Sequence, residues 1–191
     1  VSSSLQKKPV ILDEEKFHRL TADEPCNVII HTEEGIYCKE RSRDVNQWIQ
    51  EGRKQPKYVG DLRHANYGDV LKYSVITGKA NHSLSMLFTN EAELINWENG
   101  FEIVACGVSK WSAIKTLIRA YGIRKDEIVT IGDGPNDISM LNHAGMGVAM
   151  GNAASNVKAA ANLVIGDHEE DALAKFIEVY LIHSYFSMEL A

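Results

Sequence analysis

The run Gly132-Asp133-Gly134-Pro135-Asn136-Asp137 gathers the residue types best able to do chemistry in this chain. Two carboxylates four positions apart, a carboxamide between them and glycines that let the backbone approach a ligand suit a hard cation such as Mg²⁺ shared with phosphate oxygens. One acid can hold the metal while the other fixes a cation or a nearby lysine. The same residue types also make ordinary turns that lead into capped helices, so a bare Gly-Asp-Gly reads first as a plain turn.

The elements that must position this run read regularly from Ser109 onward. Ser109 is placed to cap a helix whose apolar residues Ile114, Leu117, Ile118 and Tyr121 recur at helical spacing, and Gly122 is placed to end it. Ile128-Val129-Thr130-Ile131 reads as a buried strand that delivers Asp133 at its carboxyl end, where doubly wound sheets hold their ligands. Ile138, Leu141 and Ala144 suggest a second helix closed by Gly145, and Gly147 to Met150 a second strand. Asn152 reads as the cap of a third helix through Ala153 to Ala161, Leu163-Val164-Ile165 as a third strand, and Glu169 to Ile182 as a final helix burying Leu173, Phe176, Ile177 and Leu181. This alternation predicts an α/β fold with a parallel sheet and helices on both faces.

The first half differs. Leu12, Phe17 and Leu20 suggest a short helix, Val28 to His31 with Gly35 to Tyr37 a strand or hairpin, and Val45, Trp48 and Ile49 a second helix. Val70 to Thr77 and Leu84 to Thr89 read as strands and Glu91 to Trp97 as a helix, which makes this half α+β. The segment Ala105 to Val108 is the expected junction, with domains over residues 1–105 and 106–191.

Composition narrows the class. With 191 residues, 45% hydrophobic and 24% charged, the chain is ordinary for a globular protein. The net charge of −6, an acid surplus present in both halves, argues against nucleic acid as a partner. Ile138 to Val157 lacks charge, but Ser139, Asn142, His143, Asn152, Ser155 and Asn156 interrupt it, so no membrane span is expected. Three scattered cysteines with no C-x-x-C pair and no apolar leader suggest a reducing, cytoplasmic setting. Self-association into a homo-oligomer is compatible with this composition.

Gly132 to Ala153, which continues through Met140-Leu141 and Ala144-Gly145-Met146-Gly147-Val148-Ala149-Met150-Gly151-Asn152-Ala153, resembles the fourth motif of the haloacid dehalogenase (HAD) superfamily in its Cof-type sugar-phosphate phosphatase form. Gly107-Val108-Ser109-Lys110 is similar to the third motif of that group, and the resemblance covers roughly Phe101 to Ile182. It implies a Rossmann-like core with an α+β cap domain, and a Mg²⁺-dependent phosphatase that acts on small phosphorylated metabolites through an aspartyl-phosphate. By position, Asp133 would be a Mg²⁺ ligand, with Asp137 supporting the metal shell and the lysine. Lys110 would neutralise charge on the transferring phosphoryl group and Asn136 would contact phosphate, so Lys110, Asp133 and Asp137 form the expected catalytic set.

Such phosphatases open with D-x-D-G-T, whose first Asp is the nucleophile, and this sequence contains no such run. Asp13, in Ile11-Leu12-Asp13-Glu14-Glu15, lacks the second Asp and the Gly-Thr, and Thr77 offers only a superficial second motif. The expectation is therefore an incomplete core, the missing motifs lying in a segment ahead of Val1, and a chain inactive alone. P-type ATPase phosphorylation domains share the signature, but Ile138-Ser139-Met140-Leu141 stands where pumps usually carry Ala-Pro-Ala-Leu. Phosphoserine phosphatase-like enzymes place their cap directly after the first motif. A reading of another class is a non-catalytic phosphometabolite-binding module that has lost its nucleophile. His31, His64, His82, Tyr37, Tyr67, Arg41, Arg43 and Arg63 could reach a substrate but read first as surface or core, and Trp48, Trp97 and Trp111 read as packing residues.

Overall fold

A computed structural model of the chain describes residues 8–22, 24–52, 55–79, 82–88 and 92–183. The chain divides into two compact units, one ending at Val108 and the other beginning at Ser109.

The first unit holds α1 (Glu14–Ala22), β1 (Asn27–Thr32), β2 (Ile36–Cys38), α2 (Arg43–Gly52), β3 (Tyr58–Val59), β4 (Val70–Ile76), α3 (His82–Met86), β5 (Glu93–Trp97) and β6 (Gly100–Val104). Its strands form one sheet in the order β3-β2-β1-β4-β6-β5, antiparallel except for the β2/β3 pair. Alternate residues divide its faces, as strand geometry requires. One face gives Val28, Ile30, Tyr73, Val75, Phe101 and Ile103 to a core closed by Phe17 of α1 and by Leu84 and Phe88. The Phe17 ring lies 4.6 Å from that of Tyr73 and 5.5 Å from that of Phe88. The other face packs Ile29 and Cys38 under Val45 of α2, with Ile36, Ile49 and Ile76 at the margin.

Two expectations for this unit are corrected. Residues 84–88 are not a strand: α3 and the turn after it bury Leu84 and Phe88, at helical i, i+4 spacing, and leave Met86 and Leu87 exposed, while Thr89 lies outside the described residues. The helix expected over Glu91 to Trp97 is strand β5, paired with β6 through a two-residue turn at Glu98-Asn99, and Glu91 lies outside the described residues. Any side chain at Gly100 would run into the Val75 carbonyl, 2.0 Å from its Cβ position.

The second unit runs α4 (Lys110–Tyr121), β7 (Val129–Gly132), α5 (Ile138–His143), β8 (Met146–Ala149), α6 (Ser155–Ala159), β9 (Leu163–Val164) and α7 (Ala172–Phe176), which continues as a π-helical stretch over Ile177–His183. The strands are parallel in the order β7-β8-β9, and α5 packs on β7, β8 and α4. Alternating helices and parallel strands make this an α/β unit, as the periodicity requires.

Details differ from the pattern. Asn152 does not cap a helix: α6 starts at Ser155 with Ala154 as its N-cap. The last helix starts at Ala172, because Asp171 adopts a left-handed conformation (φ 53°) that separates it from Glu169. Phe176 is buried, Leu173 and Ile177 are exposed, and the Leu181 side chain lies outside the described residues. On α4 the buried residue is Trp111, whereas Leu117 and Tyr121 are exposed. Among the described residues no helix is long and apolar enough to cross a membrane, and the uncharged run from Ile138 forms α5, β8 and the start of α6.

Candidate active site

Three short segments of the α/β unit build the site. β7 ends at Gly132, and the loop that follows closes into a single 3-10 turn, Pro135–Asp137, before α5 begins. Asp137 is 3% exposed and folds back over this loop. Its Oδ2 accepts the backbone N–H groups of Asp133 and Gly134, each at 3.1 Å, which ties the loop into one conformation. Gly132 makes this possible, because a Cβ there would stand 2.5 Å from the Asp137 Cβ. The other Asp137 oxygen, Oδ1, accepts Lys110 Nζ at 2.5 Å.

Lys110 is the first residue of α4, and local sequence sets its position. Ser109 caps the helix in a reciprocal box, its hydroxyl accepting the Ser112 N–H at 3.0 Å while the Ser112 hydroxyl accepts the Ser109 N–H at 2.9 Å. Trp111 is buried and stacks on His143 of α5 at 5.5 Å, which anchors the first turn. An ammonium at a helix start opposes the helix dipole, and Asp137 offsets that opposition. The Lys110 side chain is half-exposed, so solvent screens the pair on one side.

Asp133 is the exposed acid of the loop. Its Oδ2 accepts the Asn152 side-chain amide at 3.1 Å, and its other oxygen has no partner among the described residues. Asn136 is half-buried on the same turn, and its side-chain amide makes no hydrogen bond to a described residue. The structure thus joins Lys110, Asp133 and Asp137 through one carboxylate, with Asn136 on the turn between the two acids. The acids differ in availability: both Asp137 oxygens are engaged, whereas Asp133 presents a free oxygen.

The donor set fits a hard cation. Among the described residues no group of three or more His, Cys, Asp or Glu converges as an all-protein metal cage. Mg²⁺ needs no such cage, since it is commonly held by one or two carboxylates with water and phosphate oxygens completing the shell. Asp133 meets that requirement, beside an ammonium suited to an anionic co-ligand.

Asn152 is the site residue that sequence reasoning missed. An Asn ahead of an Ala-rich run satisfies the rule for helix caps, and that local rule hid a tertiary role. The usable signal was topological: Asn152 follows the carboxyl end of β8 as Asp133 follows that of its neighbour β7, so both loops lie on the ligand-binding rim of a parallel sheet. Thr77, the superficial second motif, lies just beyond β4 in the other unit, hydrogen-bonded to the Asn99 and Lys79 carbonyls.

The chain belongs to the haloacid dehalogenase-like hydrolase family, whose model matches residues 10–177. Over 87 residues, 46% of this chain and 32% of the relative, it is 46% identical to pyridoxal phosphate phosphatase YbhA of Escherichia coli (strain K12). Over 131 residues, 64% of this chain and 48% of the relative, it is 35% identical to the 5-amino-6-(5-phospho-D-ribitylamino)uracil phosphatase YitU of Bacillus subtilis (strain 168). The HAD subclass IIB sugar phosphatase BT4131 superposes with a TM-score of 0.74 at 28% identity, covering 90% of this chain and 67% of that one. A structure from a study of a trigonal-bipyramidal intermediate in a phosphoryl-transfer superfamily gives 0.76 at 26% identity, covering 93% and 69%. The matches span about a third to a half of these curated relatives.

Proposed function

We propose that the protein carrying this chain is a Mg²⁺-dependent phosphatase of small phosphorylated metabolites, and that the α/β unit supplies its metal-binding and charge-neutralising half. The observation that carries this reading is the Asp137 carboxylate, which holds the Lys110 ammonium with one oxygen and the Asp133 loop with the other. Relatives that share the sequence are phosphatases of phosphorylated small molecules, which supports the substrate class. Among the described residues Cys26, Cys38 and Cys106 are not joined in disulfides, in keeping with a reducing cytoplasm.

In this reading Asp133 holds the metal through its free oxygen, and Asn152 fixes the direction of that carboxylate. Bound Mg²⁺ would supply Lewis-acid stabilisation of phosphoryl oxygens. Lys110 sets a positive charge where phosphate charge accumulates, and Asn136 offers an amide donor to a phosphate oxygen. Asp137 positions both the lysine and the loop. The nucleophilic Asp of a D-x-D-G-T run is not among these 191 residues, so an aspartyl-phosphate would form on a residue supplied from elsewhere in the protein. The α+β unit acts as a cap that selects substrate.

Titration calorimetry on the chain tests the half-site. Mg²⁺ binding is expected, abolished in Asp133→Ala, and Lys110→Ala should weaken inorganic phosphate while sparing Mg²⁺. Absence of Mg²⁺ binding to the unsubstituted chain would overturn the proposal. Robust hydrolysis of para-nitrophenyl phosphate by these 191 residues alone would overturn the external nucleophile.

A further inference from the structure

The phosphoryl chemistry leaves a large groove of the α+β unit unused, on the sheet face that carries α1, opposite the face covered by α2. Residues four apart on a helix share a side, so Glu14 and His18, with Glu15 and Arg19 next to them, form one stripe along α1. That stripe is one wall of a cavity of about 690 Å³, and the connection from β3 to β4 supplies the facing wall with Arg63 and Tyr67.

The two ends of the groove differ in charge. Glu14 and Glu15 occupy the first turn of α1 and Arg19 the last. All three are exposed, and none forms an ion pair or hydrogen bond with a described residue, although Glu15 and Arg19 stand at the spacing that usually pairs them. Arg63 is held by both oxygens of Asp61, with contacts of 2.9, 3.1 and 2.6 Å. Between the ends the walls are aromatic and neutral. His18 Nε2 meets the Tyr67 hydroxyl at 2.8 Å. Burial lowers the His18 imidazole, so the ring is uncharged near pH 7, and burial with Glu14 adding to it pushes the Tyr67 phenol up to about 12, so the phenol keeps its proton. Below them the Tyr73 side chain is 0% exposed, and its hydroxyl has no hydrogen-bond partner among the described residues. The titratable groups beside that hydroxyl are Glu14 and Tyr67, both of which line the cavity, so the unmet donor lies at the acidic end of the groove. An enclosed donor without an acceptor is costly unless a ligand meets it.

We propose that this groove binds a short zwitterion of dipeptide size, its ammonium against Glu14 and Glu15, its carboxylate against Arg19 and its peptide carbonyl oxygen accepting from the Tyr73 hydroxyl. The layout of charge selects this class. A simple anion would meet two unpaired acids, a simple cation would meet the unpaired Arg19, and an uncharged ligand would leave all three without partners. Length selects within the class. One helical turn, the step from Glu15 to Arg19, advances about 5.4 Å, a distance that two extended residues, at most about 7 Å long, can bridge and one residue, at about half that, cannot. The cavity lies within the usual range of small-molecule sites. The inference uses no residue of the Asp133 loop and stands apart from the proposed phosphatase reading.

The test is nuclear magnetic resonance of the full chain, labelled with ¹³C at tyrosine and titrated with glycylglycine without Mg²⁺ or phosphate, so that it cannot fail for the same reason as the phosphatase reading. The Tyr67 ring signal, assigned by its loss in Tyr67→Phe, should move saturably with a roughly millimolar dissociation constant, as expected of a ligand this small. Glu14→Gln combined with Glu15→Gln, and separately Arg19→Gln, should each weaken binding about fivefold or more while leaving the rest of the spectrum in place, since all three positions are exposed. N-acetylglycylglycine, which lacks the ammonium, and glycylglycine amide, which lacks the carboxylate, should bind as weakly to the unsubstituted chain, and Arg19→Gln should weaken the amide no further. No saturable movement of the Tyr67 signal, unchanged affinity in either variant, or a blocked dipeptide that binds as well as glycylglycine would each overturn the proposal.

Discussion

The α/β unit carries its candidate chemistry on one loop and two neighbouring residues, while the α+β unit spreads its polar groups over three strands and invests its sequence in an aromatic core. Phe17, Tyr73, Phe88 and Phe101 are each no more than 2% exposed in the latter. In the former, no described side chain larger than Leu141 is less than 2% exposed, and Leu117, Tyr121, Leu173 and Ile177 stand exposed. Where a backbone loop is tied by its own acid, as Asp137 ties Asp133 and Gly134, a functional geometry needs little core behind it. Where polar groups come from separate strands, only a well-packed sheet can hold their register.

That contrast can be broken first in the core. Phe17→Ala should cost the α+β unit about 3–5 kcal/mol through lost burial and the cavity left between Tyr73 and Phe88. Tyr121→Ala, on an exposed α4 position, should change stability by no more than about 0.5 kcal/mol. Urea unfolding followed by hydrogen exchange on peptides of each unit separates the two, and equal losses would contradict the difference in packing.

The next effect is a pH dependence confined to the α+β unit. His31 is depressed to about 4 by burial, against an ordinary value of 6.5. Between those values the unfolded chain binds a proton that the folded chain refuses, so stability is intact above about pH 6.5 and falls as pH drops toward 4, by up to about 3 kcal/mol. His18, also lowered by burial, adds in the same direction. His31→Gln should flatten most of the fall in urea midpoint between pH 6.5 and 4.5, and an unchanged slope would remove His31 as its source. In the α/β unit, Asp137→Ala should cost about 2 kcal/mol by leaving the Asp133 and Gly134 N–H groups without their acceptor. It should also accelerate exchange at those two amides before any other in the unit.

The same contrast explains what was legible in the sequence. Ser109, Gly122 and the run 132–137 are local signals, read from neighbouring residues, and the structure has a capping box, a left-handed C-cap at Gly122 (φ 68°) and a tight loop at those places. Asp133 and Asp137 were therefore nameable from neighbouring residues and Lys110 only through the family resemblance, whereas Asn152 was hidden because its partner lies 19 residues away. In the first half, Leu84 to Phe88 is apolar enough for either a strand or a helix, and only its burial by fours decides between them. The β5–β6 hairpin was missed because the apolar spacing of Leu94 and Trp97 also fits one helical turn. No spacing rule could join Ser74, Trp97 and Glu102, since strand order alone brings β4, β6 and β5 together. The family resemblance behaved likewise: it was legible over the loop-borne motifs from about residue 101, while the family model extends back to residue 10.

The smallest effect is the sharpest test of whether local sequence alone positions Lys110. Ser109→Ala removes the acceptor of the Ser112 N–H and one half of the reciprocal cap, a loss of about 1 kcal/mol in helix stability. If the cap sets where Lys110 sits, exchange at Ser112 and Ala113 should rise, and phosphate affinity should fall several-fold with Mg²⁺ affinity unchanged, because the ammonium loses register while the Asp133 loop does not. If instead the Trp111–His143 stack and the Asp137 pair hold the lysine, the helix end will fray without any change in phosphate binding, and the position of the cation is then a tertiary property.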